Sequence, residues 1–319
     1  MSDTPWSGPI GRRFEGRSDA TTDQVGAGVT LSSGLVDATF LPELGMLGRS
    51  LRYRGEELLA LPGGLDGYRT GHVTGLPLLA PWANRLGSDR YEVDGTVVDL
   101  EGLNLHADER GLPIHGTMPA WPGWELLDVG ERALLARFDY GAHPNLLASF
   151  PFPHEISVGV EVDAMALTVT TTIAPTGERI VPVSFGYHPY LRIPTPRRGD
   201  VRLRLPSRRH IELDNRGLPT GAAHDEAAED EPLGTRVFDD LYELGVDRRL
   251  TLGGGERRVS VALEDGYGYA QVFSPAEADF VCLEPMTAPV NALVDGGYPV
   301  VSPGGSFTAR FALEVADTT

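Results

Sequence analysis

Period-two alternation dominates this chain and limits what it can fold into. Ile156, Val158, Val160 and Val162 alternate with Ser157, Gly159 and Glu161. Leu167, Val169 and Ile173 alternate with Thr168, Thr170 and Thr172, and Val201, Leu203 and Leu205 with Arg202 and Arg204. Val259, Val261 and Leu263 follow the same rule, as do Phe307, Phe311, Leu313 and Val315. Successive side chains of a strand point to opposite faces, so each run reads as a strand with one buried and one wetter face. Helical periodicity is scarce; the segment DDLYEL at 239–244 is expected to form at most a short helical turn. Parallel sheets need crossover helices, whereas antiparallel strands can follow one another through short connections. The expected fold is therefore all-β, a large antiparallel sandwich or barrel.

The 39 glycines and 25 prolines are spread along the chain and mark no linker. Residues 1–25 are expected to form a flexible segment and residues 26–319 one β-sandwich domain. The acidic stretch 214–236 reads as a long, mobile surface excursion.

The formal net charge of −18 argues against nucleic acid or an anionic membrane as partner, since both require a basic face. Cys282 is the only cysteine, which excludes an intramolecular disulfide and fits a reducing compartment. The N-terminus carries no apolar core of a signal peptide, so a cytoplasmic location is expected.

A few polar residues stand in apolar surroundings. Glu284 lies in DFVCLEPMTAPVNAL; if 280–284 is a strand, Cys282 and Glu284 share one face and Val281 and Leu283 the other, with Pro285 ending it or leaving the ladder. Such a carboxylate is either hydrogen-bonded and structural or a tuned acid–base group. His188 lies in VPVSFGYHPYLRI, where burial disfavours the imidazolium unless a carboxylate is near. His115 precedes Gly116, which permits positive φ or a close backbone approach. Asn84 and Arg85 follow an apolar run and could bind a polar ligand or be the first solvated residues. Asp239 and Asp240 could serve a helix N-terminus. No nucleophile elbow, P-loop, dinucleotide fingerprint or HExxH motif is present. His115, His188 and Glu284 match a two-His-one-carboxylate metal set in type but lack short ligand spacing.

In their order along the chain, APWANRLGSDRYEVDG, LPIHG, FPFPHEISVGVEVD, FGYHPYL, LPTG with FDDLYEL, and YAQVFSP with VCLEPMTAPVNAL resemble the aldose 1-epimerase (galactose mutarotase) family. The resemblance spans roughly residues 28–315 and implies that family's β-supersandwich fold. Position by position, Glu284 resembles the base, His188 the acid and His115 the assisting histidine. Arg85, Asp239 and, less closely, Asn84 resemble the residues that bind sugar hydroxyls; Asp239 is taken over Asp240 on register. The single glycine of IHG, Leu191 in HPYL and Trp82 in PWANR depart from the common family pattern and loosen the implied preference for galactose.

The implied activity interconverts the α and β anomers of a hexose through ring opening and closure. The C1 hydroxyl must lose a proton while the ring oxygen gains one, which a base and an acid on opposite sides of the sugar can accomplish. The expected ligand is a free aldose, with no cofactor and no metal, acting in a monomer or homodimer. Two rivals are a hexose-6-phosphate mutarotase, with Arg192, Arg197 and Arg198 as extra cations, and a non-catalytic sugar-binding or sugar-sensing protein.

Overall fold

The computed structural model describes residues 28–194, 196–276 and 278–318. The flexible segment expected at 1–25 lies outside the described residues. The alternating runs form long antiparallel strands. His154–Val162 and Ala166–Pro175 pair with Ile156 opposite Ile173 and Val160 opposite Val169. Burial along His154–Val162 alternates without a break, so one face enters the core and the other does not. Asp163 turns this hairpin: its Oδ1 accepts from the main-chain N–H groups of Met165 and Ala166.

These strands sit inside a nine-stranded sheet. From edge to edge it runs Glu229–Pro232, Arg202–Leu205, Arg249–Gly254, Arg257–Leu263, Phe307–Asp317, Ala166–Pro175, His154–Val162, Ala133–Asp139 and Glu125–Val129. A second sheet holds β1 (Leu78–Leu79), β2 (Gly186–Tyr187), β3 (Tyr190–Leu191), β4 (Arg208–Leu213), β5 (Pro219–Glu226), β6 (Phe238–Leu244), β7 (Tyr269–Ser274) and β8 (Val281–Met286). Its order is β5-β4-β6-β7-β8-β2-β1, with β3 also paired to β8. Tyr242, Val272, Val281 and Leu283 from this sheet join Ile156, Val169, Val261 and Phe311 from the larger one in the main core. The second sheet's opposite face carries Cys282, Glu284 and Leu241, and loops from the first half of the chain fold over it. The longest helix among the described residues, Gly64–Arg69, has six residues, and none is long and apolar enough to cross a membrane.

Three local expectations are corrected. Residues 239–244 belong to β6 and form no helical turn, because Phe238, Tyr242 and Leu244 bury one face while Leu241 buries the other. Much of 214–236 is not a loop: β5 and Glu229–Pro232 are strands at the edges of the two sheets. Pro285 lies inside β8, opposite Ala270. Thr287 donates its N–H to Phe185, so the nitrogen of Pro285 also faces β2, which meets β8 at a single residue pair. A missing donor there interrupts almost no ladder.

The hairpin expected after the Asn-Arg segment is present. Arg90–Val93 pairs with Thr96–Asp99, and Asp94 and Gly95 both take positive φ as a two-residue primed turn requires.

Candidate active site

Sheet register assembles one wall of the site. Glu284 on β8 stands directly opposite Gln271 on β7, and Gln271 opposite Leu241 on β6. Asp239 lies two residues from Leu241 and therefore on the same face. Gln271 Nε2 donates to Asp239 Oδ1 at 2.7 Å. Asp240 projects to the other face, with Oδ1 3.4 Å from His210 Nε2. Asp239, and not Asp240, therefore shares the surface of Glu284.

The second wall comes from the loops. Asn84 and His115 both adopt positive φ, at 59° and 65°, and His115 donates its N–H to the Asn84 carbonyl. Gly116 follows at φ 69°, and a Cβ there would lie 2.2 Å from the Ala80 carbonyl oxygen. The structure thus uses both freedoms of this glycine. Arg85 donates through Nε to Asp108 Oδ2 at 2.8 Å, and its Nη2 lies 3.6 Å from Asp239 Oδ2. It bridges the two walls.

His188 follows β2 and reaches into the same space. Its Nε2 lies 3.2 Å from Glu284 Oε1. Tyr190 stacks on its ring at 4.6 Å, and the His115 ring meets it edge-on at 5.4 Å. The acid–base candidates are neighbours in contact.

Burial sets the electrostatics. Glu284 is 1% exposed, and its carboxyl is pushed well above the usual range by burial, then by Asp239, with Arg85 opposing. Burial lowers His188 to about 3. His115 falls well below the ordinary histidine value through burial, helped by His188, His106 and Arg85. Each member of the contacting pair thus favours its neutral form, and the pair holds one proton. Burial and Glu284 also raise the Cys282 thiol, so it is no nucleophile.

Glu284 Oε2, His115 Nδ1 and Gln271 Oε1 are buried without a hydrogen-bond partner among the described residues, and His188 Nδ1 has none beyond its own backbone. Buried polar atoms are normally paired. Four such exceptions among neighbouring residues leave polar atoms available to a polar ligand.

The structure brings Glu284, His188, His115, Arg85, Asp239 and Asn84 to one place. The sequence reading did not single out Asp108, Gln271 or His106, which stacks 6.4 Å from His115. Gln271 had one visible signal, a long polar side chain in the apolar strand YAQVF. Nothing local marked Asp108, whose role depends on a partner 23 residues away.

The family model of aldose 1-epimerases matches residues 49–314. The chain belongs to the aldose 1-epimerase family. Family and fold support a mutarotase-type enzyme, an isomerase with a small sugar as ligand. Among solved structures, a protein of Synechocystis sp. PCC 6803 is similar at 22% identity and TM-score 0.75, covering 95% of this chain and all of that one. A galactose mutarotase-like protein from Clostridium acetobutylicum is 18% identical with TM-score 0.78, covering 91% and 95%. A galactose mutarotase related enzyme from Lactobacillus acidophilus is 19% identical with TM-score 0.75, covering 92% and 97%. At these identities the solved structures establish the fold of this epimerase-family chain. No curated protein matches its sequence.

Proposed function

We propose that the protein interconverts the α and β anomers of a free hexose, with Glu284 as base and His188 as acid. The observation that carries this reading is the 3.2 Å contact between His188 Nε2 and Glu284 Oε1 in a buried setting with unpaired polar atoms. Burial favours the neutral carboxyl and neutral imidazole, which together hold one proton. The carboxylate–imidazolium form holds the same proton, so a shift across the contact interconverts them without solvent. Sugar hydroxyls donating to Glu284 favour the carboxylate form.

In that form Glu284 takes the proton of the C1 hydroxyl and His188 donates its own to the ring oxygen. The C1–O5 bond breaks and a C1 carbonyl forms. After rotation about C1–C2, ring closure returns both protons. His115, neutral through burial, hydrogen-bonds near the ring oxygen and steadies its developing charge. Arg85 and Asp239 hold sugar hydroxyls by charged hydrogen bonds, with Asn84 beside them. Asp108 and Gln271 fix the orientation of Arg85 and Asp239.

The phosphate-sugar alternative draws no support from Arg198, whose Nη2 is occupied by the Arg236 and Pro275 carbonyls and Ser274 Oγ. Anomer-exchange NMR on a panel of free aldoses and their 6-phosphates tests the reading. Acceleration of a free hexose supports it; acceleration of no substrate defeats it.

A further inference from the structure

We propose that the protein carries a second site, a divalent transition-metal site of the zinc class formed by His210, His224 and Glu226. It lies on β4 and β5 at the edge of the second sheet, on the face opposite Asp239. It shares no residue with the proposed sugar site and stands independently of that function.

The register of β4 and β5 sets His210 directly opposite His224, with ring centroids 5.1 Å apart. Glu226 lies two residues beyond His224 and so on the same face. One donor atom from each of the three falls within 4.8 Å of the others, a convergence that His115, His188 and Glu284 do not make among the described residues. Glu226 Oε1 is the shared vertex, 2.8 Å from His210 Nδ1 and 3.4 Å from His224 Nε2. Donor atoms bound at about 2.0–2.2 Å around a tetrahedral zinc stand roughly 3.3–3.6 Å apart. The longer separation already fits, and the shorter opens by a small turn of the Glu226 carboxylate.

The surroundings are built as well. His210 Nε2 faces Asp240 Oδ1 at 3.4 Å, and His224 Nδ1 faces Glu212 Oε1 at 3.4 Å. Arg208 Nη2 holds Glu226 Oε2 at 2.5 Å. Every candidate ligand therefore has an outer partner on its remaining polar atom. A carboxylate stands near the outer nitrogen of each ring, placed to take its N–H and leave the inward nitrogen to a cation, which is the usual support of metal-ligating histidines. Two imidazoles and one carboxylate favour zinc and its neighbours over magnesium or calcium, which prefer oxygen. Three protein ligands leave a further coordination position, and the half-exposed His224 side chain keeps the site open to solvent. The spacing of 210, 224 and 226 forms no compact motif, so only strand pairing reveals the set.

The test is calorimetric titration of untagged, chelator-stripped protein with zinc chloride, with magnesium chloride as control. Cobalt absorption reports the coordination geometry. One saturable zinc site per chain is expected, with no comparable magnesium binding. His224→Ala and Glu226→Gln, both at partly exposed positions, should each weaken zinc binding by about 100-fold. Asp240→Asn should weaken it by about 10- to 100-fold through the loss of outer support. Circular dichroism verifies that each variant keeps its fold. Absence of a saturable zinc site, equal magnesium binding, or less than a roughly tenfold loss in both ligand variants would overturn the proposal.

Discussion

His188 Nε2 lies 3.2 Å from Glu284 Oε1, and both side chains are almost wholly buried. The contact makes them one titrating unit, so the pH dependence of turnover belongs to the pair. The working unit holds one proton. Below about 3, the lowered value of His188, it gains a second proton and loses its base. Above the raised range of Glu284 it loses the only proton and has no acid. The kcat/KM profile of the free enzyme should therefore show no acid limb in the ordinary histidine range near 6.5, its acid limb lying far below. An acid limb centred near 6.5 would show that His188 titrates alone.

Arg85 should contribute to both binding and stability. Arg85→Ala removes hydrogen bonds common to the ground and transition states, so KM should rise with kcat much less changed. It also leaves Asp108 without its guanidinium partner, at a cost of about 1–3 kcal/mol in urea unfolding. An unchanged KM would exclude Arg85 from sugar binding.

The two adjacent aspartates provide an internal control. Asp239 faces Gln271 and Glu284, while Asp240 faces His210. Asp239→Asn should raise KM for the sugar several-fold, and Asp240→Asn should leave steady-state mutarotation unchanged. The reverse result would mean that the register of β6 misassigns the sugar contact.

Gly116 should tolerate no side chain. At φ 69°, with a Cβ 2.2 Å from the Ala80 carbonyl oxygen, Gly116→Ala meets both backbone strain and a main-chain clash. The loss should exceed about 1 kcal/mol in chemical denaturation, and turnover should fall because His115 shifts with it. A variant as stable and active as the parent would show that the site does not depend on the loop geometry at Gly116.

The strands with one buried face were readable from residue order, and those of the central pairs at 154–175 and 257–317 appear where alternation placed them. Edge strands were not. Pro219–Glu226 has no fully buried residue, so water surrounds both faces and selection leaves no alternation. Phe238–Leu244 was misread because Leu241 and Tyr242 are buried on opposite faces, which breaks the two-residue pattern. The members of the candidate site were recognisable as polar residues in apolar runs, and as an ordered set through family resemblance. Their contacts were not: the pairing of Gln271 with Glu284 and the bridge from Asp108 through Arg85 to Asp239 depend on register and loop closure. The adjacency of His188 and Glu284 also had to come from the fold, since 96 positions of chain separate the two numbers.

The most direct measurement is magnetisation-transfer NMR of α–β anomer exchange in a free hexose, with parent protein and Glu284→Gln at equal concentration. Sugar binding by the variant is checked by calorimetry. The amide keeps the size of the carboxyl and one acceptor oxygen but cannot accept the C1 proton. The expected result is clear acceleration by the parent, retained sugar binding by Glu284→Gln, and a fall in its exchange rate of about 10²- to 10⁴-fold. Exchange by Glu284→Gln at nearly the parent rate would contradict the assignment of Glu284 as the base.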